Sequence, residues 1–214
     1  MHQRETLRNF LLAAFFAGLT GVGGILTIPM WPVPFTLQSF FVLMSGLFLG
    51  PKFGPLSQVI YIMMGLAGAP IFSGGSGGLQ HVFRPTFGFL IAYVPVSWLA
   101  GWLASFMAPL HAEPSRDSPV LYVKYVLICL AATVLLYVIG LPAFYLNMYY
   151  VMELETEMET PLSLGQIFRL AVIPFILPDL LKALVAAWLA WKTIIVLRGA
   201  GLLPEQTAGG RHEI

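Results

Sequence analysis

The charged residues best placed to bind a ligand lie within a long apolar segment, PFILPDLLK at 174–182. Asp179 and Lys182 are three residues apart, and this spacing places both side chains on one face of a helix. One such charge at the centre of a membrane helix costs about 2.5 to 3.5 kcal/mol of insertion free energy, so charges at this depth indicate function. The pair is therefore our first candidate for a binding site.

Arg84 is the third charge of this candidate site. It precedes the fourth predicted helix on the same side of the membrane, and it converges on the pair if the helices enclose a cavity. The three charges then sum to +1, which favours an anionic ligand, while the Asp179 carboxylate accepts hydrogen bonds from ligand N–H groups. A small carboxylic acid with amide-like donors fits. The alternative is that Asp179 and Lys182 satisfy each other and Arg84 only extends to the membrane interface.

The residues that could support catalysis form a much less complete set than those of this candidate binding site. The sequence has no His-Glu-x-x-His motif for zinc and no phosphate-binding loop of the form Gly-x4-Gly-Lys-Ser/Thr. His2, His111 and His212 fall in the N-terminus, a loop and the tail, and His81 stands alone between the third and fourth predicted helices. We predict that the chain is not an enzyme and holds no metal or cofactor. A membrane enzyme acting on lipid is the alternative from another class.

The elements that position these residues are predicted to be membrane helices. Hydrophobic residues make up 58% and charged residues 10% of the 214 residues, whereas soluble domains carry about a quarter charged residues. The mean hydropathy is +0.83, and charge-free runs such as 87–108 and 125–146 are long enough to cross a hydrocarbon core of about 30 Å. Backbone amides find no water there, so such runs form helices. The sequence predicts an all-α integral membrane protein with one domain, 1–214.

The sequence excludes or disfavours a disulfide or multi-cysteine metal site, nucleic-acid binding, and a cleaved secretory signal peptide. The single cysteine, Cys129, rules out an internal disulfide and a multi-cysteine metal site. The net charge of +1 gives no basic field for nucleic acid. Arg4 and Arg8 before the apolar stretch 10–19 imitate a secretory signal peptide. No small-x-small cleavage site follows, so we predict a retained first helix.

Length, charge and the Pro and Gly positions predict six helices. Their ranges are 7–28, 36–49, 54–71, 85–109, 120–146 and 167–197. The second and third are short and flanked by Pro and Gly, which favours tilted or broken helices around a cavity.

Basic residues predict that both termini are cytoplasmic, because cytoplasmic loops retain Lys and Arg. With the N-terminus inside, the inner side carries Arg4, Arg8, Lys52, Arg116, Lys124, Lys192, Arg198 and Arg211, and the outer side carries Arg84, Arg169 and Lys182. The same topology places Glu153, Glu155, Glu157 and Glu159 outside, in the polar segment 147–166. That segment is either a solvated loop or an acidic lip to the site.

Three further segments are predicted to shape a pocket. Prolines stiffen the segment 28–38 and lower the entropy lost when it closes over a ligand. Glycines in 72–78 either let the backbone approach a ligand closely or simply make a flexible connection. The candidate wall residues are Phe35, Thr36 and Gln38 in 28–38, Phe72, Gly74 and Gly75 in 72–78, and Tyr137, Tyr145 and Asn147 in 137–147. On the first helix, Ala13 and Ala17 share a face on which another helix can pack closely.

Four of these segments together resemble one family. PVPFTLQ at 32–38, GAPIFSGGSGG at 68–78, PTFGF at 85–89 and PFILPDLLK at 174–182 are similar, in this order, to motifs of the BioY family. Those proteins are biotin-specific S components, the substrate-binding subunits of energy-coupling factor (ECF) transporters.

The resemblance implies a fold, a ligand and partners. It implies the six-helix S-component fold in a bacterial cytoplasmic membrane, with biotin near the outer face between the first loop and the ends of the later helices. Asp179 then matches the ureido N–H groups of biotin, and Lys182 matches the valerate carboxylate. A transmembrane coupling subunit, docked on Ala13 and Ala17, and two ABC-type ATPase subunits complete the importer. An S component for another small anionic vitamin or metabolite is the alternative within the same class.

Overall fold

The computed structural model describes residues 2–30, 33–108, 119–155 and 163–199. Long apolar segments form helices here, because a helix pairs all of its backbone amides within itself. In chain order the elements are α1 (His2–Ile25), β1 (Thr27–Ile28), β2 (Phe35–Thr36), α2 (Gln38–Leu66), a 3₁₀ helix (Leu79–Phe83), α3 (Phe87–Met107), α4 (Pro119–Glu155), α5 (Leu164–Ala171) and α6 (Ile173–Gly199). Five of them, α1, α2, α3, α4 and α6, are long and apolar enough to cross a membrane.

The helix α2 is a hairpin of two antiparallel arms, 38–49 and 51–66. Gly50 between them has φ 71° and ψ −173°, a conformation that glycine adopts at no steric cost. Gln38 at the start of the first arm donates a hydrogen bond to Tyr61 in the second, although a straight helix would separate these residues by roughly 34 Å. Counted with both arms, the described chain therefore has the six membrane helices that the sequence predicted.

Several helix bounds differ from the prediction; the first predicted helix, 7–28, is observed at His2–Ile25. The predicted helix 54–71 ends at Leu66, because Gly68 has a φ of 105° and such a residue terminates a helix. The predicted helix 167–197 is divided at Val172 into α5 and α6, because Pro174 has no N–H to continue the hydrogen-bond ladder. α4 continues to Glu155, so the first part of the acidic segment 147–166 is helical rather than a loop. Glu157 and Glu159 lie outside the described residues.

Close backbone contacts hold α2 against α3. A Cβ atom on Gly46 would overlap the Ser97 carbonyl oxygen and would lie 2.9 Å from the Ala100 Cβ. Ser45 Oγ and Ser97 Oγ, 2.9 Å apart, share a hydrogen bond, and Gln58 Nε2 donates to Ser45 Oγ at 3.0 Å. Small residues and hydroxyl groups are the usual means of joining helices in lipid.

Two loops cover the end of the bundle that carries β1 and β2, which we call the hairpin end. β1 and β2 pair antiparallel, with Thr27 opposite Thr36. The glycine-rich loop is tied to this hairpin, because Gly74 N–H donates to Gly24 O at 3.0 Å and to Thr27 Oγ1 at 3.1 Å. Both loops are therefore connected to each other and to α1.

The short helix α5 closes the other side of the hairpin end. Ser163 forms a capping box with Gln166 at its N-terminus, which satisfies backbone N–H groups that would otherwise have no partner. Ile167 and Ala171 pack with Phe144 of α4 in a small apolar cluster. α5 is therefore placed directly beside the start of α6, where Asp179 and Lys182 lie.

Replacing Gly46 with Ala tests the α2–α3 contact. We expect Gly46→Ala to lower the free energy of unfolding by about 1 to 3 kcal/mol, because the methyl group overpacks the contact. Gly18→Ala is the control, since nothing lies within 4 Å of a Cβ at Gly18, and it should leave stability equal or slightly higher. Thermal unfolding in detergent measures both, and equal Tm values for the two variants would contradict the close contact.

Candidate ligand-binding site

Asp179 and Lys182 form a buried ion pair on α6. Lys182 Nζ lies 2.8 Å from Asp179 Oδ1, and the two residues are only 7% and 8% exposed. Lys182 Nζ also donates to Ser39 Oγ at 3.1 Å and lies 4.3 Å from the centre of the Phe35 ring. The ammonium group is thus held by a carboxylate, a hydroxyl and an aromatic face.

Tyr137 holds the second oxygen of the carboxylate. Its hydroxyl donates to Asp179 Oδ2, so donors from α4 and α6 each engage one oxygen of Asp179. Two fixed donors orient the carboxylate before any ligand arrives, and its remaining lone pairs are available to ligand N–H groups. Tyr137 was predicted only as a wall residue; its contact with Asp179 was not foreseen.

The ion pair lies in the wall of a cavity of about 70 Å³. Its polar wall residues besides the pair are Thr36, Gln38, Ser39, Ser73, Thr86, Tyr93 and Tyr137, and its apolar ones are Val33, Pro34, Phe89, Leu90, Leu136, Ala171 and Phe175. An apolar enclosure with a few convergent polar groups is typical of a small-molecule site.

Gln38 and Thr36 line this cavity, but their polar atoms are engaged with the protein. Gln38 Oε1 accepts from Thr36 Oγ1 at 3.0 Å and from Tyr93 OH at 3.3 Å, and Gln38 Nε2 donates to Tyr61 OH. Tyr61 OH in turn donates to Ile71 O at 3.3 Å. This network fixes β2 and the glycine-rich loop to the hairpin arms of α2, so Gln38 shapes the cavity rather than offering a free amide.

A second cavity of about 150 Å³ lies beside the first and contains Arg84, His81 and Phe72 in its wall. Phe72 is buried between Tyr61, at 5.6 Å between ring centres, and His81, at 5.0 Å. Burial and the neighbouring Arg84 guanidinium lower the pKa of His81 below its usual value. The structure thus places Arg84 next to the ion-pair cavity and not in its wall.

Five predicted wall residues line neither cavity: Phe35, Gly74, Gly75, Asn147 and Tyr145. Tyr145 packs against the apolar cluster of Phe144 and Met148. Phe35 faces an apolar groove between the first arm of α2 and α6, with its ring against Lys182. Gly74 and Gly75 each have φ 72° and open space where a Cβ would stand, so they shape the turn. Asn147 Nδ2 donates to Arg84 O at 3.2 Å, which connects α4 to the loop before α3.

The structure corrects the assignment of Ala13 and Ala17 as a partner-facing pair. Their side chains are 0% and 1% exposed, because α1 packs this face against the rest of the chain. Ala14 and Gly18, one position further along, are exposed and share a face at the same four-residue spacing. Spacing alone could not separate the two sets, since both consist of small residues.

Ser39 and Tyr93 were missed by the sequence analysis. Ser39 directly follows the PVPFTLQ segment, so its position beside Gln38 was the available signal. Tyr93 lies in an apolar helix with no neighbouring polar motif, and nothing in the sequence indicated that it faces the site.

The run GGSGG at 74–78 also has the Gly-x-Ser-x-Gly spacing of a hydrolase nucleophile. The structure gives it another role, since Phe72 and Ser76 form an isolated antiparallel bridge and Ser76 Oγ donates to Ser73 O at 2.7 Å. This turn is not the strand-to-helix elbow of a hydrolase. Within the four described ranges, no group of three His, Cys, Asp or Glu residues is placed to hold a metal ion.

Comparisons with known proteins show the family of this chain. The BioY family model matches residues 1–198. The probable biotin transporter BioY of Pyrococcus horikoshii is 36% identical over 179 residues, covering 84% of this chain and 91% of that protein. The biotin transporter BioY of Thermotoga maritima is 33% identical over 186 residues, covering 87% and 95%.

A solved structure has the same fold. The S component for biotin from an ECF-type ABC transporter superposes with a TM-score of 0.66 at 21% identity, covering 90% of this chain and 94% of that one. The family match extends over all four motifs and all six membrane helices. The chain is a multi-pass membrane protein and belongs to the BioY family.

Proposed function

We propose that this chain is the biotin-binding S component of an energy-coupling factor importer. It captures biotin at the hairpin end, on the outer side of the cytoplasmic membrane, and delivers it inward with a coupling subunit and ABC-type ATPases. The observation that carries this proposal is the oriented, desolvated Asp179–Lys182 pair in the wall of the cavity. The names of the relatives, biotin transporters, support the choice of ligand.

The ureido ring of biotin matches the polar groups of the first cavity. A cyclic urea has two N–H donors and one carbonyl acceptor. Asp179 accepts from the donors, and the hydroxyl groups of Ser39 and Thr86, with the ammonium group of Lys182, supply donors for the carbonyl oxygen. Charge-assisted bonds of this kind are roughly twice as strong as neutral ones.

The apolar wall suits the rest of the ring system. Phe89, Leu90 and Phe175 line the same cavity and bury the carbon and sulfur atoms of the ligand. Because Asp179 is already held by Tyr137 and Lys182, its side chain loses little conformational entropy when biotin binds. This preorganisation raises affinity.

The face of α1 that exposes the small residues Ala14 and Gly18 suits docking of the coupling subunit. Ala14 and Gly18 allow a second helix to approach the α1 backbone closely, which is how small residues support helix association in lipid. This face is separate from both cavities, so docking and biotin binding use different surfaces.

Substitution of the ion pair tests the binding site. We expect Lys182→Met and Asp179→Asn each to weaken biotin binding by about 2 to 5 kcal/mol, because the remaining group is left without its partner in a desolvated site. That corresponds to about 30-fold to several thousand-fold in Kd. Equilibrium binding of labelled biotin to the detergent-purified protein measures this.

The matched control is Lys192→Met, an exposed lysine ten residues further along α6, which should bind as the wild type does. Only competitors with an intact ureido group should displace biotin. Normal biotin binding by Lys182→Met would rule out this site, and displacement by an unrelated anionic vitamin would favour the alternative ligand.

A bulky residue on α1 tests the docking face. We expect Gly18→Leu to reduce biotin uptake by cells that express the complete importer at least tenfold, while biotin binding in detergent stays unchanged. Val134→Leu, at an exposed apolar position on α4, is the control and should change neither. Unimpaired uptake by Gly18→Leu would place the docking face elsewhere.

Reporter fusions test the orientation. With both termini cytoplasmic, a C-terminal alkaline phosphatase fusion should be inactive and a green fluorescent protein fusion bright, because the phosphatase needs an oxidising compartment for its disulfides. A phosphatase fusion after Gly78 should be active. The opposite pattern would invert the topology.

A further inference from the structure

The charge of Lys182 is already neutralised within the protein. Its ammonium group lies 2.8 Å from Asp179 Oδ1 and donates a second hydrogen bond to Ser39 Oγ. A ligand carboxylate placed against Lys182 would also lie close to the Asp179 carboxylate, and like charges repel strongly in a desolvated site. The first cavity therefore suits a neutral polar group better than an anion.

His81 is a buried side chain with an unused polar atom. The residue is 6% exposed and lines the second cavity, and its Nε2 atom is buried without a hydrogen-bond partner. Burial and the neighbouring Arg84 lower the pKa of His81, which favours the neutral imidazole, and in one of its tautomers Nε2 carries a proton that it can donate. Buried polar groups in native proteins are nearly always paired, so an orphaned atom in a cavity wall indicates a missing ligand group.

Arg84 supplies the positive charge that the first cavity lacks. Arg84 is exposed and lines the same cavity as His81, and in the described part of the chain no carboxylate forms a salt bridge with it. The backbone at this position is fixed, because Arg84 N–H donates to His81 O at 3.0 Å and Arg84 O accepts from Asn147 Nδ2 at 3.2 Å.

The two cavities are neighbours that share part of their lining. Pro34, Ser73, Thr86 and Leu90 line both of them. The second is about twice as large as the first, at about 150 Å³ against about 70 Å³. A ligand with a ring in the first cavity and a flexible acidic chain can extend across this shared wall into the second.

We propose that Arg84 and His81 form a separate carboxylate subsite, and that the acidic chain of the ligand ends there rather than at Lys182. This assignment rests on the proposed function, biotin capture, and divides the ligand between two sites. The ureido ring occupies the ion-pair cavity, and the valerate carboxylate accepts charge-assisted hydrogen bonds from the Arg84 guanidinium and a hydrogen bond from His81 Nε2.

Biotin and biotinamide test the subsite, because they differ only in the charge at the end of the chain. Their Kd values are measured on the full-length protein in detergent for the wild type, Arg84→Gln, His81→Phe and Lys182→Met. We expect the wild type to prefer biotin at least tenfold. Arg84→Gln should lose this preference by weakening biotin alone, and His81→Phe, which keeps the ring packed on Phe72, should reduce it several-fold.

Lys182→Met should weaken both ligands equally and keep their ratio. Arg169→Gln, an exposed arginine on α5 that lines neither cavity, is the matched control and should keep both affinities. Arg84→Lys should recover part of the preference, which shows that a loss in Arg84→Gln is not misfolding.

Two results would overturn the subsite while leaving biotin capture intact. One is an unchanged ratio in Arg84→Gln with a lost ratio in Lys182→Met, which would return the carboxylate to Lys182. The other is equal binding of biotin and biotinamide by the wild type. A folded wild type that binds neither ligand would instead refute the proposed function, and the subsite with it.

Discussion

Lipid offers no hydrogen-bond partner to a buried polar side chain, and this constraint organises the interior of the bundle. Many of its buried polar residues collect into clusters that satisfy one another. Gln58 and the serines join α2 to α3, Gln38 with Tyr61 and Tyr93 joins β2 to the bundle, and the Asp179 cluster joins α4, α6 and the start of α2. Each cluster connects at least two elements, so the polar contacts fix how the helices are placed.

The ligand cavity is a consequence of the same arrangement. The Gln38 cluster fixes one wall and the Asp179 cluster fixes the other, and both have all or most of their hydrogen-bonding groups occupied. The groups left for a ligand are therefore few: the free lone pairs of Asp179, the remaining donors of Lys182, Ser39 and Thr86, the unpaired His81 Nε2 and the Arg84 guanidinium. Selectivity follows from these few groups, because a ligand that cannot engage them leaves a buried atom such as His81 Nε2 without a partner.

The sequence predicted the parts of this structure that depend on local spacing. Asp179 and Lys182 share a helix face because they are three residues apart, and the Gly50–Pro51 pair correctly separated two short helices. The sequence could not predict contacts between distant segments, such as Gln38 with Tyr61 or Tyr137 with Asp179, because these contacts depend on how the helices pack. The rotation of α1 was missed for the same reason: Ala13, Ala14, Ala17 and Gly18 are all small, and only packing decides which pair is buried.

The two arms of α2 have a consequence for how the protein enters the membrane. The first arm carries Ser45 and the second carries Gln58, and the hydrogen bond from Gln58 Nε2 to Ser45 Oγ forms only after the chain has turned at Gly50. An arm released into lipid alone would lose this bond between the arms, and each arm is shorter than a typical spanning helix. Insertion of 38–66 as one paired unit, with the turn at Gly50 formed first, therefore keeps the Gln58–Ser45 bond and places two short arms in the bilayer together.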